Sequence, residues 1–124
     1  MPDGAASVRA DRDSAEAFAG VTSPGTPSRD AVIDVSSKPG QVRRAAEAFA
    51  DRARQYVYIS SCNAYASHSE AGIEETAPLN EALDADEMGS ASEYGAAKVA
   101  CELAVLQRFG PDRTTIIRPG LQLR

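Results

Sequence analysis

Residues 92 to 102 read SEYGAAKVACE and lie within a helix that the sequence predicts from residue 91 to residue 109. In that helix Tyr94 and Lys98 are four positions apart, so the phenol and the ammonium group lie one turn apart on one face. A neighbouring cation favours the phenolate form of tyrosine and suits it to acid/base chemistry at neutral pH. The two residues are therefore either a catalytic pair or a chance pair on a helix surface.

The strand before this helix favours the catalytic interpretation. Residues Tyr56 to Ser60 have the apolar character of a buried parallel strand, and serines stand at its end. Proteins of the α/β class bind their ligands at the carboxyl ends of such strands. A hydroxyl there, from Ser61 or from its neighbour Ser60, would hold a substrate oxygen and stabilise charge that develops on it. Tyrosine, lysine and serine together suit the interconversion of a carbonyl and an alcohol.

Segments typical of strands and of helices alternate along the chain. Glycine and proline at positions 110 and 111 predict the end of the long helix. The other elements predicted from apolar periodicity are a strand at Ala31 to Val35, a helix at Gln41 to Arg52 and a strand at Thr114 to Ile117. This order predicts an α/β fold, with a Rossmann-like parallel sheet and flanking helices.

The N-terminal segment adds two shorter elements. A strand is predicted at Ser7 to Ala10, ending at Asp11. A helix is predicted at Ala15 to Ala19, with Asp13 or Ser14 as its capping residue.

Composition limits the classes of function. The chain has 124 residues, enough for one domain, and its formal net charge of -5 gives no footprint for nucleic acid. No apolar run approaches the ~20 residues of a membrane helix, and the N-terminus lacks the pattern of a signal peptide. Cys62 and Cys101 lack the spacing of metal ligands, so no metal site is expected. We therefore expect a cytoplasmic protein with a small-molecule partner, and no partner among nucleic acids or membranes.

The segment between the central strand and the long helix is strongly acidic. Residues 64 to 90 hold seven acidic side chains and no basic one, which predicts a solvated loop. The single histidine of the chain, His68, lies in this loop and is interpreted as a surface residue.

From about residue 30 to residue 120 the sequence resembles an extended short-chain dehydrogenase/reductase, the NAD-dependent epimerase/dehydratase type. Tyr94 to Lys98 matches that family's Tyr-x-x-x-Lys motif, and Tyr58 to Tyr65 matches its strand-end segment. Thr115 to Gly120 resembles the next strand of the family and its Arg-Pro-Gly exit. The order and spacing of all three segments agree with the family.

The resemblance implies catalytic roles for three residues. Tyr94 would be the acid/base, Lys98 would lower its pKa and hold the nicotinamide ribose, and Ser61 would orient the substrate oxygen. The implied activity is NAD(P)-dependent oxidoreductase, epimerase or dehydratase chemistry by hydride transfer, on a sugar nucleotide or a similar hydroxy or keto compound.

The resemblance also implies cofactor contacts. Relatives carry an acidic residue that meets the adenine amino group, for which Asp11 is the candidate, and a proline beside the nicotinamide, which corresponds to Pro119. Ser36 follows a strand where relatives pass the cofactor ribose, although serines at such points also form turns. Lys98 completes the implied set of NAD or NADP contacts.

Parts of the family pattern are missing. No Gly-x-x-Gly-x-x-Gly turn occurs, and the family's first strand, glycine loop, first helix and second strand have no counterpart in the sequence. We therefore expect residues 1 to 124 to form a single, partial NAD(P)-binding domain whose cofactor binding is weakened or lost. The sequence also stops before the C-terminal substrate portion of relatives, as in a truncated product. A non-catalytic remnant that acts as a binding or interaction module is the alternative.

The missing strands have a structural consequence. Without them the sheet would expose an edge at the strand Ala31 to Val35. We expect either that the segment near Val8 docks on this strand or that a homo-oligomer covers the edge.

Overall fold

The computed structural model describes residues 4 to 66 and 78 to 119, which form a three-stranded parallel sheet with helices packed against it. The strand order is β1-β2-β3, with β2 in the centre. The elements are, in chain order, α1 (Ala19–Thr22), β1 (Arg29–Asp34), α2 (Pro39–Phe49), β2 (Ala53–Ile59), α3 (Tyr94–Phe109) and β3 (Thr114–Ile117), with 3-10 turns at Cys62–Ala64, Ala91–Glu93 and Pro111–Arg113. The predicted α/β class, parallel sheet and flanking helices are confirmed.

Local sequence sets the ends of the two long helices. Pro39 stands at the first position of α2, where its fixed φ suits a helix and its missing N–H is not needed. This proline starts the helix two residues before the predicted position. Gly110, with φ of 74°, ends α3, and Pro111 follows it. The first three residues of the predicted 91 to 109 helix form a 3-10 turn instead.

The core lies between one face of the sheet and the two long helices. Tyr56 and Tyr58 of β2 are fully buried there, with Val42 of α2 and Val105 of α3. Phe109 meets the Tyr56 ring edge-on, with ring centroids 5.1 Å apart. Since side chains alternate along a strand, the neighbours of these residues point to the other face of the sheet.

That second face is open in the part of the chain that the structure describes. Ile33 of β1 is 71% exposed and Ile117 of β3 is 44% exposed. Val35, just beyond β1, is 68% exposed. A parallel sheet is usually covered on both faces, so this face is unusual for its class.

Two N-terminal predictions are wrong. Residues 7 to 10 form no strand, and β1 pairs only with β2 among the described residues, so the segment near Val8 does not dock on the sheet. The predicted helix at 15 to 19 is a series of turns that leads into α1. The cause is local, because the Asp11 carboxylate accepts a hydrogen bond from the Asp13 amide at 2.9 Å and the Ser14 hydroxyl accepts one from the Glu16 amide at 3.2 Å. Such bonds favour turns over helix or strand.

Arg12 fastens this N-terminal segment to the sheet. Its guanidinium makes two parallel hydrogen bonds, each of 2.9 Å, to the carboxylate of Asp34, the last residue of β1. Tyr56 donates to the same carboxylate at 2.5 Å, and the Ser36 amide donates to it at 3.0 Å. Burial raises the pKa of Asp34, but these bonds outweigh it and hold the pKa below its ordinary value.

We predict that Asp34→Asn destabilises the fold by roughly 3 kcal/mol at neutral pH, because it leaves the Arg12 charge without its carboxylate. Since the pKa of Asp34 is lower in the folded than in the unfolded chain, its contribution is present above about pH 4 and is lost as the pH falls through the folded-state pKa. The free energy of unfolding, measured with urea between pH 7 and pH 3, tests both expectations. The loss of stability in acid should be smaller in Asp34→Asn than in the wild type. The control is Asp51→Asn, which changes an exposed carboxylate, and equal acid slopes in all three proteins would contradict the prediction.

Candidate functional site

The candidate site lies at the edge of the sheet where all three strands end. Ser36 follows β1, Ser61 follows β2 and Pro119 follows β3, and the parallel strands place all three at one edge. Helix α3 begins at the same edge with Tyr94, since its first turns pack against the Cys62–Ala64 turn. The structure thus gathers most of the predicted site residues in one region.

Lys98 is the most constrained of these residues. It is only 3% exposed, and its Nζ donates a hydrogen bond of 2.9 Å to the carbonyl oxygen of Ile59, the last residue of β2. The same Nζ lies 4.9 Å from the ring centroid of Tyr58 and 5.7 Å from that of Tyr94. The tyrosine and lysine chosen from their spacing therefore meet in space beside the end of β2.

Burial lowers the pKa of Lys98 below the ordinary lysine value. The acidic groups around it, on Cys101, Asp34 and Glu102, oppose this effect but do not cancel it. A lysine in such a pocket loses its proton more readily than one in water.

Gly95 lets the start of α3 approach the turn after β2. A Cβ at this position would overlap the carbonyl oxygen of Asn63 and lie 2.7 Å from Nδ2 of Asn80. The side-chain amide of Asn80 donates to that carbonyl at 2.8 Å and so fixes the turn. The close approach sets the position of Tyr94, which is partly exposed.

Ser61 and Ser60 have different surroundings, which separates two residues that the sequence left as alternatives. The Ser61 hydroxyl accepts a hydrogen bond of 3.1 Å from the Asn63 amide, and that bond does not use its proton. The Ser60 hydroxyl is buried and donates to Oε2 of Glu102 at 2.5 Å. In the part of the chain that the structure describes, no acceptor takes the Ser61 proton, so of the two Ser61 has a proton to offer to a substrate oxygen.

The residues predicted to contact the cofactor differ from one another in their surroundings. The Ser36 hydroxyl donates to the Gln41 side chain at 2.8 Å and accepts from the Lys38 amide at 3.1 Å, so it forms a turn, as the alternative interpretation held. Pro119 is exposed, and its carbonyl accepts from the Cys62 amide at 3.1 Å. Asp11 is exposed in the segment that Arg12 holds against the end of β1.

Sequence reasoning missed Glu102 and Arg118. They form a bidentate ion pair, with Arg118 Nη2 to Glu102 Oε1 at 2.7 Å and Nε to Oε2 at 3.0 Å. Glu102 is 2% exposed. The sequence offered one indication of Glu102. It lies four residues after Lys98, so a charged residue falls on the buried face of the helix.

Both cysteines are free thiols, and they differ in exposure, since Cys62 is partly exposed. Cys101 is buried, and burial raises the pKa of its thiol to about 11. Among the described residues, no group of three or more His, Cys, Asp and Glu side chains could hold a metal ion. The predicted surface position of His68 lies outside the described residues.

A groove of about 590 Å³ lies elsewhere, between the two long helices and the loop at residues 82 to 86. Its lining includes Arg43, Leu83 and Leu103. It does not include the predicted site residues, so its size alone does not mark the site.

Comparison of the chain with protein-family models, with curated proteins and with solved structures finds no match. None of the helices in the described part of the chain is long and apolar enough to cross a membrane.

We predict that Gly95→Ala destabilises the fold by about 1–3 kcal/mol, because the added methyl group would force α3 away from Asn63. Urea unfolding measures the change. The matched control is Gly20→Ala, also within a helix, where a Cβ would meet nothing within 4 Å. That control should be neutral or stabilising by up to ~1 kcal/mol, and a Gly95→Ala protein as stable as the control would contradict the prediction.

Proposed function

We propose that this chain is the catalytic portion of an NAD(P)-dependent oxidoreductase of the extended short-chain dehydrogenase/reductase type. The observation that carries the proposal is the meeting of Lys98 and Tyr94 at the end of β2, two residues before Ser61. The sequence resemblance implied these three residues, and their convergence at a strand-end edge supports it. A Rossmann-like sheet, of which β1 to β3 would be one part, is included in the proposal.

The chemistry follows from the three side chains. Tyr94, which is partly exposed, would pass a proton to or from the substrate oxygen. Lys98 would supply a nearby positive charge that favours the phenolate, and Ser61 would donate a hydrogen bond to the same oxygen. The nicotinamide, when bound, accepts or supplies the hydride.

The described residues fit one half of the cofactor better than the other. Lys98 uses one of its three N–H donors on Ile59, which leaves two for the nicotinamide ribose. Pro119 is exposed at the same edge, where it would border the nicotinamide. Ser36 has no proton left for the ribose, because its hydroxyl already donates to Gln41. A weak cofactor site centred on the nicotinamide end is therefore proposed, with NAD or NADP as the ligand.

The proposed substrate is a sugar nucleotide or a similar hydroxy or keto compound, and the proposed location is the cytoplasm. The formal net charge of -5 disfavours nucleic acid as a partner. Coverage of the open edge of β1 by a second copy of the chain also belongs to the proposal.

The second candidate is a binding or interaction module without catalysis. Two contacts favour it, because both use site residues to hold the fold together. Lys98 is buried and donates to a backbone carbonyl, and Ser36 closes a turn. In this case the two residues would only stabilise the structure.

Fluorescence titration with NADH and NADPH tests cofactor binding. We predict saturable binding that Lys98→Ala weakens about tenfold, equal to ~1.4 kcal/mol. The control is Lys38→Ala, which removes the only other lysine, a partly exposed side chain with ion pairs to Asp13 and Glu87. Absence of binding up to millimolar cofactor would rule out a cofactor site in this chain.

Tyr94→Phe separates the two candidates. We predict that this variant binds NADH like the wild type but loses about 10²–10⁴-fold in turnover of a responsive sugar nucleotide or keto compound, because the proton donor is gone. Turnover is followed by the absorbance of NADH. Cofactor binding without turnover of any compound in a panel by the wild-type chain would favour the binding module.

A further inference from the structure

A single carboxylate joins three parts of the candidate site. Glu102 of α3 accepts the Ser60 hydroxyl at 2.5 Å and two hydrogen bonds from Arg118, at 2.7 and 3.0 Å. Ser60 precedes Ser61, and Arg118 precedes Pro119. Through one side chain, α3 is thus tied to the ends of both β2 and β3.

Arg118 extends the connection to the turn after β2. Its Nη1 donates to the Tyr65 hydroxyl at 3.2 Å, and its guanidinium carbon lies 5.0 Å from the centroid of that ring. The hydrogen bonds that Arg118 donates to Glu102 and Tyr65 raise the pKa of its guanidinium, which keeps its charge at any physiological pH.

We propose that Glu102 and Arg118 are positioning residues that hold Lys98 and Ser61 in their places at the carboxyl edge of the sheet. Lys98 and Glu102 lie one turn apart on α3 and bond to adjacent residues, Ile59 and Ser60. The ion pair therefore fixes how far α3 slides along β2, and with it the place of the lysine. The placement of Lys98 and Ser61 by this ion pair does not depend on the proposed function. Its purpose, to prepare the site for cofactor and substrate, rests on that function.

A role limited to stability fits the position of the pair less well. A buried ion pair is a costly way to stabilise a fold, because both ions lose their hydration. At the opposite end of the sheet, Arg113 closes the structure with hydrogen bonds to backbone carbonyls, to Ala50 at 2.6 Å and Ala53 at 2.8 Å. Among the described residues, two arginines face a buried carboxylate, Arg118 with Glu102 and Arg12 with Asp34, and both pairs lie at the end with the candidate residues.

The surroundings of Lys98 provide a readout of its position. Its amine lies near the rings of Tyr58 on β2 and Tyr94 on α3. The acidic groups of Asp34 on β1, and of Cys101 and Glu102 on α3, act on it electrostatically. Burial lowers its pKa, so any loosening of α3 that admits water would raise the pKa toward the ordinary lysine value.

The test compares Arg118→Lys with Arg113→Lys. Each keeps the charge, loses the planar fork of the guanidinium and adds one lysine to the two in the chain, so the pair is matched. Lysine side chains labelled with ¹³C are titrated by NMR, with Lys98→Ala to assign the resonance. Unfolding by urea and the affinity for NADH are measured on the same proteins.

We expect Arg118→Lys to raise the pKa of Lys98 and to weaken NADH binding about tenfold, while Arg113→Lys lowers stability and leaves both properties as in the wild type. An unchanged Lys98 titration in Arg118→Lys, or an equal change in both variants, would overturn the positioning role. If Arg118→Lys does not fold, Ser60→Ala replaces it in the test. That substitution leaves the Glu102–Arg118 ion pair intact and removes the hydrogen bond between Glu102 and the end of β2. Failure of the wild type to bind NADH would overturn the proposed function, and the Lys98 titration would still decide the positioning role.

Discussion

The attachment of α3 to the end of β2 is the constraint on which the site depends. Lys98 bonds to the carbonyl of Ile59, Glu102 bonds to the hydroxyl of Ser60, and one helical turn separates the two. Hydrophobic packing of Val105 and Phe109 brings the helix to the sheet but does not fix its position along the strand. The two polar contacts fix that position, because each hydrogen bond forms with one particular residue of the strand end at a set distance. They fix the place of Tyr94 as well.

At the end of β1, polar contacts take the place of regular secondary structure. The N-terminal segment adds no strand, and Arg12 holds it through the buried carboxylate of Asp34. This leaves the outer edge of β1 without a described strand and one face of the sheet with exposed Ile33 and Ile117. An uncovered face and an open edge agree with a sheet that belongs to a larger assembly in the proposed family.

The sequence predicted the three strands and two long helices because each has an apolar pattern of the right period and clear ends, as at Gly110. It also predicted the meeting of Tyr94 and Lys98, which requires only a helix. It did not predict that the ammonium would bond to Ile59, because such a contact depends on how the elements pack. For Ser36 it left open whether the hydroxyl meets a ribose or closes a turn. The strand at 7 to 10 failed for a related reason, since a strand needs a partner and short side-chain bonds favoured turns nearby.

We propose that the carboxyl edge of the sheet binds the nicotinamide end of a dinucleotide. A map of backbone amide shifts, by ¹⁵N–¹H NMR with added NADH, tests it most directly because it locates the ligand and not only its affinity. The largest shifts are expected at Ser61, Tyr94 and Lys98, around the ends of β2 and β3. Shifts centred on the groove at residues 82 to 86, or no shifts at millimolar NADH, would contradict it.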